Sequence, residues 1–298
     1  MPTTSTDSSY PPLFLHPPQT TTRYSPPTQP LPTTPSSIPL IDLENLSSPS
    51  IIAACADHGL FRLTNHGLPL PLSRALHDRA RSLFSLPFPS KLPDPSYFWG
   101  TPVASPVENL NWLEGLHIRR DDPDPFGPIA AEYGAHVARI SRRVFGAVSA
   151  AAEGFGFGSD SLRAYRYPVC ANPEGFFGMD AHTDSSVVSI VDEDGVGGLQ
   201  VKRGDEWVDV EPVEGTLVIN VGDMLQAMSN DVYKSAVHRV VVNKRTERQT
   251  ICYFVFPEDD AVIDSPNYRP FTYREFRAKV QEDIKSIGRK VGLLHFRL

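Results

Sequence analysis

The chain has 298 residues, 40% of them hydrophobic, with 28 Lys and Arg against 35 Asp and Glu for a formal net charge of −7. That is enough apolar material for a sizeable core, as one large domain or two small ones, and the acidic balance lacks the basic face of a nucleic-acid binder. No apolar run reaches the roughly 18 residues of a membrane span, and no charged-then-apolar leader for secretion opens the chain. Three cysteines, Cys55, Cys170 and Cys252, make an odd count with no paired spacing, which predicts a reducing compartment and a cytoplasmic protein.

Residues 1–37 are rich in Pro, Ser and Thr and show no periodicity, so a disordered tail is expected there. Few acidic and many hydroxyl residues make an organelle transit peptide the alternative, although Arg23 is the single basic residue. Ile38 to Asp42 reads as a strand, and Ser50 to His58 as a helix capped at Gly59. Leu60 to Thr64 alternates like a strand and enters Asn65-His66-Gly67. Pro71 to Phe84 has the apolar spacing of an amphipathic helix, and the prolines from Pro87 to Pro95 predict a loop near the pocket. Leu110 to Ile118 is strand-like. Pro128 to Glu153 forms a long helix whose apolar stripe, Val137, Ile140, Val144 and Val148, backs the remainder of the fold. His58, His66 and His77 are read as packing or surface residues, and Cys170 as a buried apolar one.

From Val187 onwards, short apolar runs alternate with turn signals: Val187–Val191, Asp192–Gly195, Gly197–Val201, Gly204-Asp205, Trp207–Val210, Leu217–Val221 and Gly222-Asp223. That rhythm predicts a sandwich or barrel. Ahead of it stands His182-Thr183-Asp184, whose first and third side chains share one face of an extended strand. His238, delivered by a distant strand, would complete two imidazoles and one carboxylate around a metal. That set leaves coordination positions open and suits Fe(II) in oxygen chemistry. Cysteine-rich closed zinc sites look different. Arg248 and Thr250 share strand parity, and an arginine fork grips a carboxylate with two charge-assisted hydrogen bonds. Arg245 breaks that parity, and Arg239, opposite in parity to its neighbour His238, is read as structural. The same alternation turns Cys252 and Phe254 inward with Arg248, and Gln249, Ile251 and Tyr253 outward. Thr272 and Glu275 form a capping box, so a last helix should run from there to about Gly288.

His182-x-Asp184, His238 and Arg248-x-Thr250, with Tyr167-Pro168, Gly198-Leu199-Gln200, Gly222-Asp223, Ser229-Asn230 and Tyr233-Lys234-Ser235, resemble the plant-type 2-oxoglutarate- and Fe(II)-dependent dioxygenases from about Ile38 onwards. Within that family, Arg166 to Cys170, Trp99 to Pro102 and the ending Phe271-Thr272-x-Arg274-Glu275-Phe276 look most like the gibberellin 2-oxidase branch. The resemblance implies a mainly β fold with flanking helices: an N-terminal region over 38–157, a double-stranded β-helix (jelly-roll) core over 158–258 and a C-terminal helical extension over 259–298. It implies a monomeric enzyme using Fe(II), 2-oxoglutarate and O2, supported by ascorbate, that binds neither membrane nor nucleic acid. His182, Asp184 and His238 would hold the iron. Tyr167, Arg248 and Thr250 would hold 2-oxoglutarate, and Phe254, Trp112 and Tyr165 would touch the substrate. The implied reaction is hydroxylation of a gibberellin at carbon 2, releasing succinate and CO2.

Three positions depart from the family pattern. Tyr165 stands where many members have an asparagine that touches the cosubstrate, so either its hydroxyl replaces that contact or its bulk reshapes the pocket. Leu113 replaces a serine and Gly115 a bulkier residue in the expected substrate wall, where Trp112 reads equally well as core. A flavonoid, an alkaloid or another hormone remains an alternative substrate. A catalytically silent jelly-roll binding protein is the alternative from another class, and the intact ligand set with Arg248 argues against it.

Overall fold

A computed structural model describes residues 7–15, 38–100, 111–120, 126–148, 157–171, 173 and 176–298. In chain order they form α1 (Pro12–Leu15), β1 (Leu40–Asp42), α2 (Ser48–Ala53), β2 (Leu60–Thr64), α3 (Leu70–Phe84), α4 (Phe88–Lys91), β3 (Tyr97–Trp99), β4 (Glu114–Ile118) and α5 (Phe126–Val148). There follow β5 (Ser159–Tyr167), β6 (Phe177–His182), β7 (Val188–Glu193), β8 (Leu199–Arg203), β9 (Glu206–Asp209), β10 (Leu217–Val221), α6 (Asp223–Met228), β11 (His238–Val241), β12 (Arg248–Phe256), β13 (Val262–Ser265), β14 (Tyr268–Thr272) and α7 (Tyr273–Ile287).

Two sheets make the core. The larger has eight strands in the order β1-β2-β10-β7-β12-β5-β4-β3, and the smaller has four in the order β6-β11-β8-β9. Strand alternation gives the larger sheet two different faces. Ile251, Tyr253 and Val255 of β12 join the cluster made with α2, α3 and α5, while Cys252 and Phe254 join Tyr165, Tyr167, Leu199, Val201 and Val240 between the sheets. The jelly-roll interior is therefore built from both sheets, and the helices seal its back. In α5, Val137, Ile140, Val144 and Val148 are each 1% exposed or less. Burial of such side chains contributes about 1.5–3 kcal/mol apiece against leaving them in water. The last part of that expected helix, 149–153, lies outside the described residues.

Several boundaries differ from expectation for physical reasons. The segment 7–15, expected within a disordered tail, is docked: Tyr10 and Phe14 are 6% and 4% exposed. Phe14 stacks on Trp112 at 4.4 Å, Arg166 donates to Ser9 Oγ at 3.0 Å, and Lys91 donates to the Ser9 carbonyl at 2.7 Å. Two aromatics four residues apart supply enough apolar surface to anchor a short helix that composition alone would leave in solvent. The rest of the expected tail, 1–6 and 16–37, lies outside the described residues. In the expected loop from Pro87 to Pro95, Phe88–Lys91 makes one helical turn. The helix that ends at Gly59 finishes in a π-type turn, Ala54–His58, with Gly59 at φ 67°.

The largest correction concerns Asp192 and Glu193, expected in a turn. Both lie in β7, and the chain turns only at Asp194 and Gly195. Acidic residues survive inside a strand when each finds partners. Asp192 accepts hydrogen bonds from Ser73 at 2.6 Å and Tyr133 at 3.1 Å, and Glu193 pairs with Arg62 and Arg248. At the other end, Thr272 and Glu275 form the expected capping box, and Gly288 closes α7 with φ 72°.

Candidate metal centre and its pocket

His182 ends β6, His238 begins β11, and the antiparallel register makes them direct cross-strand partners with ring centroids 4.3 Å apart. Asp184 leaves β6 two residues later, and its carbonyl accepts from the Asp223 amide at 2.8 Å. Gly222 permits that approach: a Cβ there would sit 2.0 Å from the Ser186 carbonyl oxygen. The Nε2 atoms of His182 and His238 each lie 3.7 Å from Asp184 Oδ1, and the three ligand atoms all fall within 4.8 Å of one another.

Hydrogen bonding prepares these groups for a metal. His182 Nδ1 faces the Asp180 carbonyl at 2.7 Å, and His238 Nδ1 faces the Ala236 carbonyl at 3.0 Å. A carbonyl can only accept, so each Nδ1 carries a proton, which leaves each Nε2 as the ring nitrogen aimed at Asp184 and available to a metal. Burial, followed by the neighbouring His238, pushes the His182 imidazole down to about 4, which keeps it neutral. Burial works to raise the Asp184 carboxyl, but the charges that His238 and His182 carry when protonated, together with the hydrogen bond from Asn220, outweigh it and hold the group below its usual range. Asn220 donates to Asp184 Oδ2 at 3.2 Å, which turns Oδ1 towards the imidazoles. Two imidazoles and one carboxylate fit Fe(II) with positions left open. Among the described residues this is the cluster of His, Cys, Asp and Glu groups able to hold a metal ion.

Of the other residues singled out in the sequence, β12 brings Arg248, Thr250, Cys252 and Phe254 onto its inward face. Arg248 and Thr250 lie opposite Tyr167 and Tyr165 on β5. The Arg248 guanidinium stands 5.2 Å from the Tyr167 ring centroid. Burial pushes the Cys252 thiol up to about 12, so it is a neutral wall group.

Trp112 is not in this pocket. Its side chain, 1% exposed, packs with Tyr10, Phe14, Cys170 and Phe176 in a separate cluster. Strand parity is the reason: with Trp112 turned to the outer cluster, Leu113 turns to the interior, where it joins Tyr165 and Tyr167. The glycine at 115 also has a visible use. Phe98 pairs with it across β3 and β4, and a Cβ on Gly115 would lie 2.1 Å from the Phe98 ring. Phe98 thereby crosses β4 to reach Tyr165, with ring centroids 6.1 Å apart. The Tyr165 hydroxyl accepts from Arg163 Nη1 at 3.3 Å, and its ring lies in the cluster between the sheets with Leu113 and Tyr167.

Four residues that the sequence reading passed over complete the site. Asn220 was detectable as the one polar residue in the apolar run Leu217–Val221. Arg163 was detectable by carrying the parity of Tyr167 and Tyr165 back along β5. It lies half-buried over the Phe254 ring at 5.1 Å, and no described carboxylate pairs with it. Glu193, hidden in an apparent turn, holds Arg248. Lys290 carried no sequence signal; its Nζ reaches the Thr183 carbonyl and Asp223 Oδ2, the latter at 2.7 Å, and pins the ligand loop from the C-terminal side.

Comparison with known proteins agrees with this geometry. Residues 158–257 match the 2OG-Fe(II) oxygenase superfamily, and residues 38–135 match the N-terminal region described as non-haem dioxygenase in morphine synthesis. The chain belongs to the 2-oxoglutarate- and Fe(II)-dependent oxygenases: it is a dioxygenase, and Fe(II) and 2-oxoglutarate are its cofactor and cosubstrate. Among its relatives, gibberellin 2-beta-dioxygenase 5 of Oryza sativa subsp. japonica is 39% identical over 87% of each chain, and gibberellin 2-beta-dioxygenase 8 of Arabidopsis thaliana is 35% identical over 83% of this chain and 80% of its own. The crystal structure of JOX2 in complex with 2OG, Fe and JA superposes with a TM-score of 0.74 at 28% identity, covering 87% of each chain. The rice dioxygenase for auxin oxidation superposes at 0.72 with 27% identity, covering 88% of this chain and all of its own. No helix among the described residues is long and apolar enough to cross a membrane.

Proposed function

We propose that this chain hydroxylates a gibberellin at carbon 2, with His182, Asp184 and His238 holding the iron and Tyr167, Arg248 and Thr250 holding 2-oxoglutarate. The observation that carries the substrate is the run of gibberellin 2-beta-dioxygenases among its relatives at 35–39% identity over most of the chain. When bound, iron and 2-oxoglutarate supply the oxidising power, converting O2 and the cosubstrate to succinate, CO2 and a hydroxyl group on the substrate carbon.

The chain's own residues orient and exclude. Arg248 offers planar donors to the distal carboxylate of 2-oxoglutarate, a geometry that a lysine ammonium cannot reproduce. Tyr167, Thr250 and Cys252 make that end of the barrel nearly dry, which strengthens each ionic contact. Phe98, Leu113, Tyr165 and Phe254 offer an apolar and aromatic wall, with Arg163 as a cation at its edge. A compact hydrocarbon skeleton bearing a carboxylate, as gibberellins do, suits that combination. The test is incubation of purified protein with Fe(II), ascorbate and 2-oxoglutarate against a panel of gibberellins and flavonoids, with His182→Ala as the blank. A gibberellin product heavier by one oxygen at carbon 2, absent from the blank, is expected. Oxygenation of a flavonoid and of no gibberellin would overturn the substrate.

A further inference from the structure

Arg248 does not stand free at the end of the barrel. Its Nε donates to the Val196 carbonyl at 3.1 Å and its Nη2 to Glu193 Oε1 at 2.9 Å. Those two donors form one edge of the guanidinium fork, so the protein itself occupies that edge. No described residue takes a hydrogen bond from Nη1. The other edge, Nη1 with the second Nη2 proton, remains for a ligand. Glu193 is anchored in turn: its Oε2 accepts from Arg62 Nη2 at 3.0 Å, and Arg62 Nη1 donates to Thr216 Oγ1 at 3.1 Å. The Arg62, Glu193 and Arg248 side chains are each 3–4% exposed.

Charge counting sharpens the point. The relay holds two guanidinium groups against one shared carboxylate, with the Asp194 carboxylate acting on Arg248 from nearby, so Glu193 alone does not neutralise both cations and the open edge of Arg248 stays attractive to an anion. Removing Glu193 would leave the two cations facing each other. Removing Arg62 would free Glu193 to swing towards the open edge of Arg248 and compete for it. The order of the relay therefore matters as well as its charge.

We infer that Glu193, braced by Arg62, is a positioning residue for cosubstrate recognition: it fixes the rotation of the Arg248 guanidinium so that the Nη1–Nη2 edge meets the distal carboxylate of a 2-oxo dicarboxylic acid. The inference rests on the proposed role of Arg248. It predicts that the relay sets discrimination between 2-oxoglutarate and 2-oxopentanoate, which has the same 2-oxo acid end and chain length but no distal carboxylate.

The test measures binding of both acids by calorimetry to the Fe(II)-loaded protein under argon, alongside KM and kcat for the hydroxylation. In Glu193→Ala, affinity for 2-oxoglutarate should fall about tenfold or more, the scale of a lost hydrogen bond to a charged group. Affinity for 2-oxopentanoate should stay within about threefold, and Glu193→Gln, which keeps an acceptor on Nη2, should restore most of the preference. Because Glu193→Ala leaves Arg62 and Arg248 opposed and its folding is at risk, the double variant Arg62→Gln/Glu193→Leu removes the acceptor without that repulsion, and the same loss of preference is expected of it. Unchanged or tighter 2-oxoglutarate binding in the variants that lack the acceptor would overturn the inference and make Glu193 a competitor or a bystander. Arg248→Gln separates the two levels: if it too leaves 2-oxoglutarate binding unchanged, the role of Arg248 falls and the inference falls with it.

Discussion

Replacing Asn220 by alanine should loosen the metal centre without touching a ligand. Asn220 lies on β10, 2% exposed, opposite Ser189 of β7, and its Nδ2 holds Asp184 Oδ2 at 3.2 Å. Without that donor the carboxylate keeps the Ser189 contact but loses the bond that turns Oδ1 towards the two Nε2 atoms. A hydrogen bond to a charged acceptor contributes about 1.5–3 kcal/mol. Loss of an outer partner to a metal ligand typically weakens metal binding by about 10- to 100-fold, equivalent to about 1.4–2.7 kcal/mol. The two scales agree, so anaerobic calorimetric titration of the apoprotein with Fe(II) should show a dissociation constant raised by about that range. Melting in the presence of chelator reports the fold separately. Native melting together with unchanged metal affinity would refute the idea that Asn220 orients Asp184.

Three further outcomes follow from named contacts. Phe14→Ala removes a ring stacked on Trp112 and edge-on to Trp99, so α1 should undock, and quencher access to tryptophan fluorescence should rise; unaltered quenching would contradict the docking. Lys290→Met strips the partner from Asp223, which is 3% exposed, and should cost roughly 3 kcal/mol of stability while weakening Fe(II) binding, because the same ammonium pins Thr183; a wild-type melting temperature would count against it. Burial pushes the Asp283 carboxyl up, but the Val291 amide and His295 outweigh it and hold it below its ordinary value. A carboxyl depressed in the folded state contributes stability that is present above its unfolded pKa and lost as pH falls through the folded one. Melting of the wild type should therefore decline below about pH 4 more steeply than that of Asp283→Asn, and parallel curves would show that the contact is inert.

How much of this was legible in the sequence depended on periodicity. A period of two placed Arg248 with Thr250, Cys252 and Phe254, and the structure puts all four β12 residues on the interior face; His182 and Asp184 also converge, although β6 ends at His182 and Asp184 lies in the loop beyond it. The apolar stripe of α5 and the capping box of α7 were equally plain, because both are local signals. What stayed hidden needed a partner distant in sequence. Asp192 and Glu193 look like a turn until Ser73, Tyr133, Arg62 and Arg248 are seen around them. For Trp112 the sequence supports pocket and core equally, and the structure takes the core side while Leu113 faces the interior, since a one-residue choice of parity at a strand's edge swaps the two faces. Residues 7–15 were hidden by their company: proline- and hydroxyl-rich flanks outweigh two aromatic residues in any average over composition, whereas packing responds to the two residues themselves. Gly115 read as a deficit and is instead the space through which Phe98 reaches Tyr165.

Iron held by His182, Asp184 and His238, with 2-oxoglutarate on the open edge of Arg248, is the arrangement on which the proposed function depends. Crystals grown anaerobically with Fe(II) and 2-oxoglutarate, measured at the iron absorption edge, test it directly. The predicted result is a single anomalous peak bonded to His182 Nε2, Asp184 Oδ1 and His238 Nε2, with the distal carboxylate of the cosubstrate on Arg248 Nη1 and Nη2. A peak elsewhere, or a cosubstrate whose distal carboxylate avoids Arg248 while Glu193 stays in place, would contradict it.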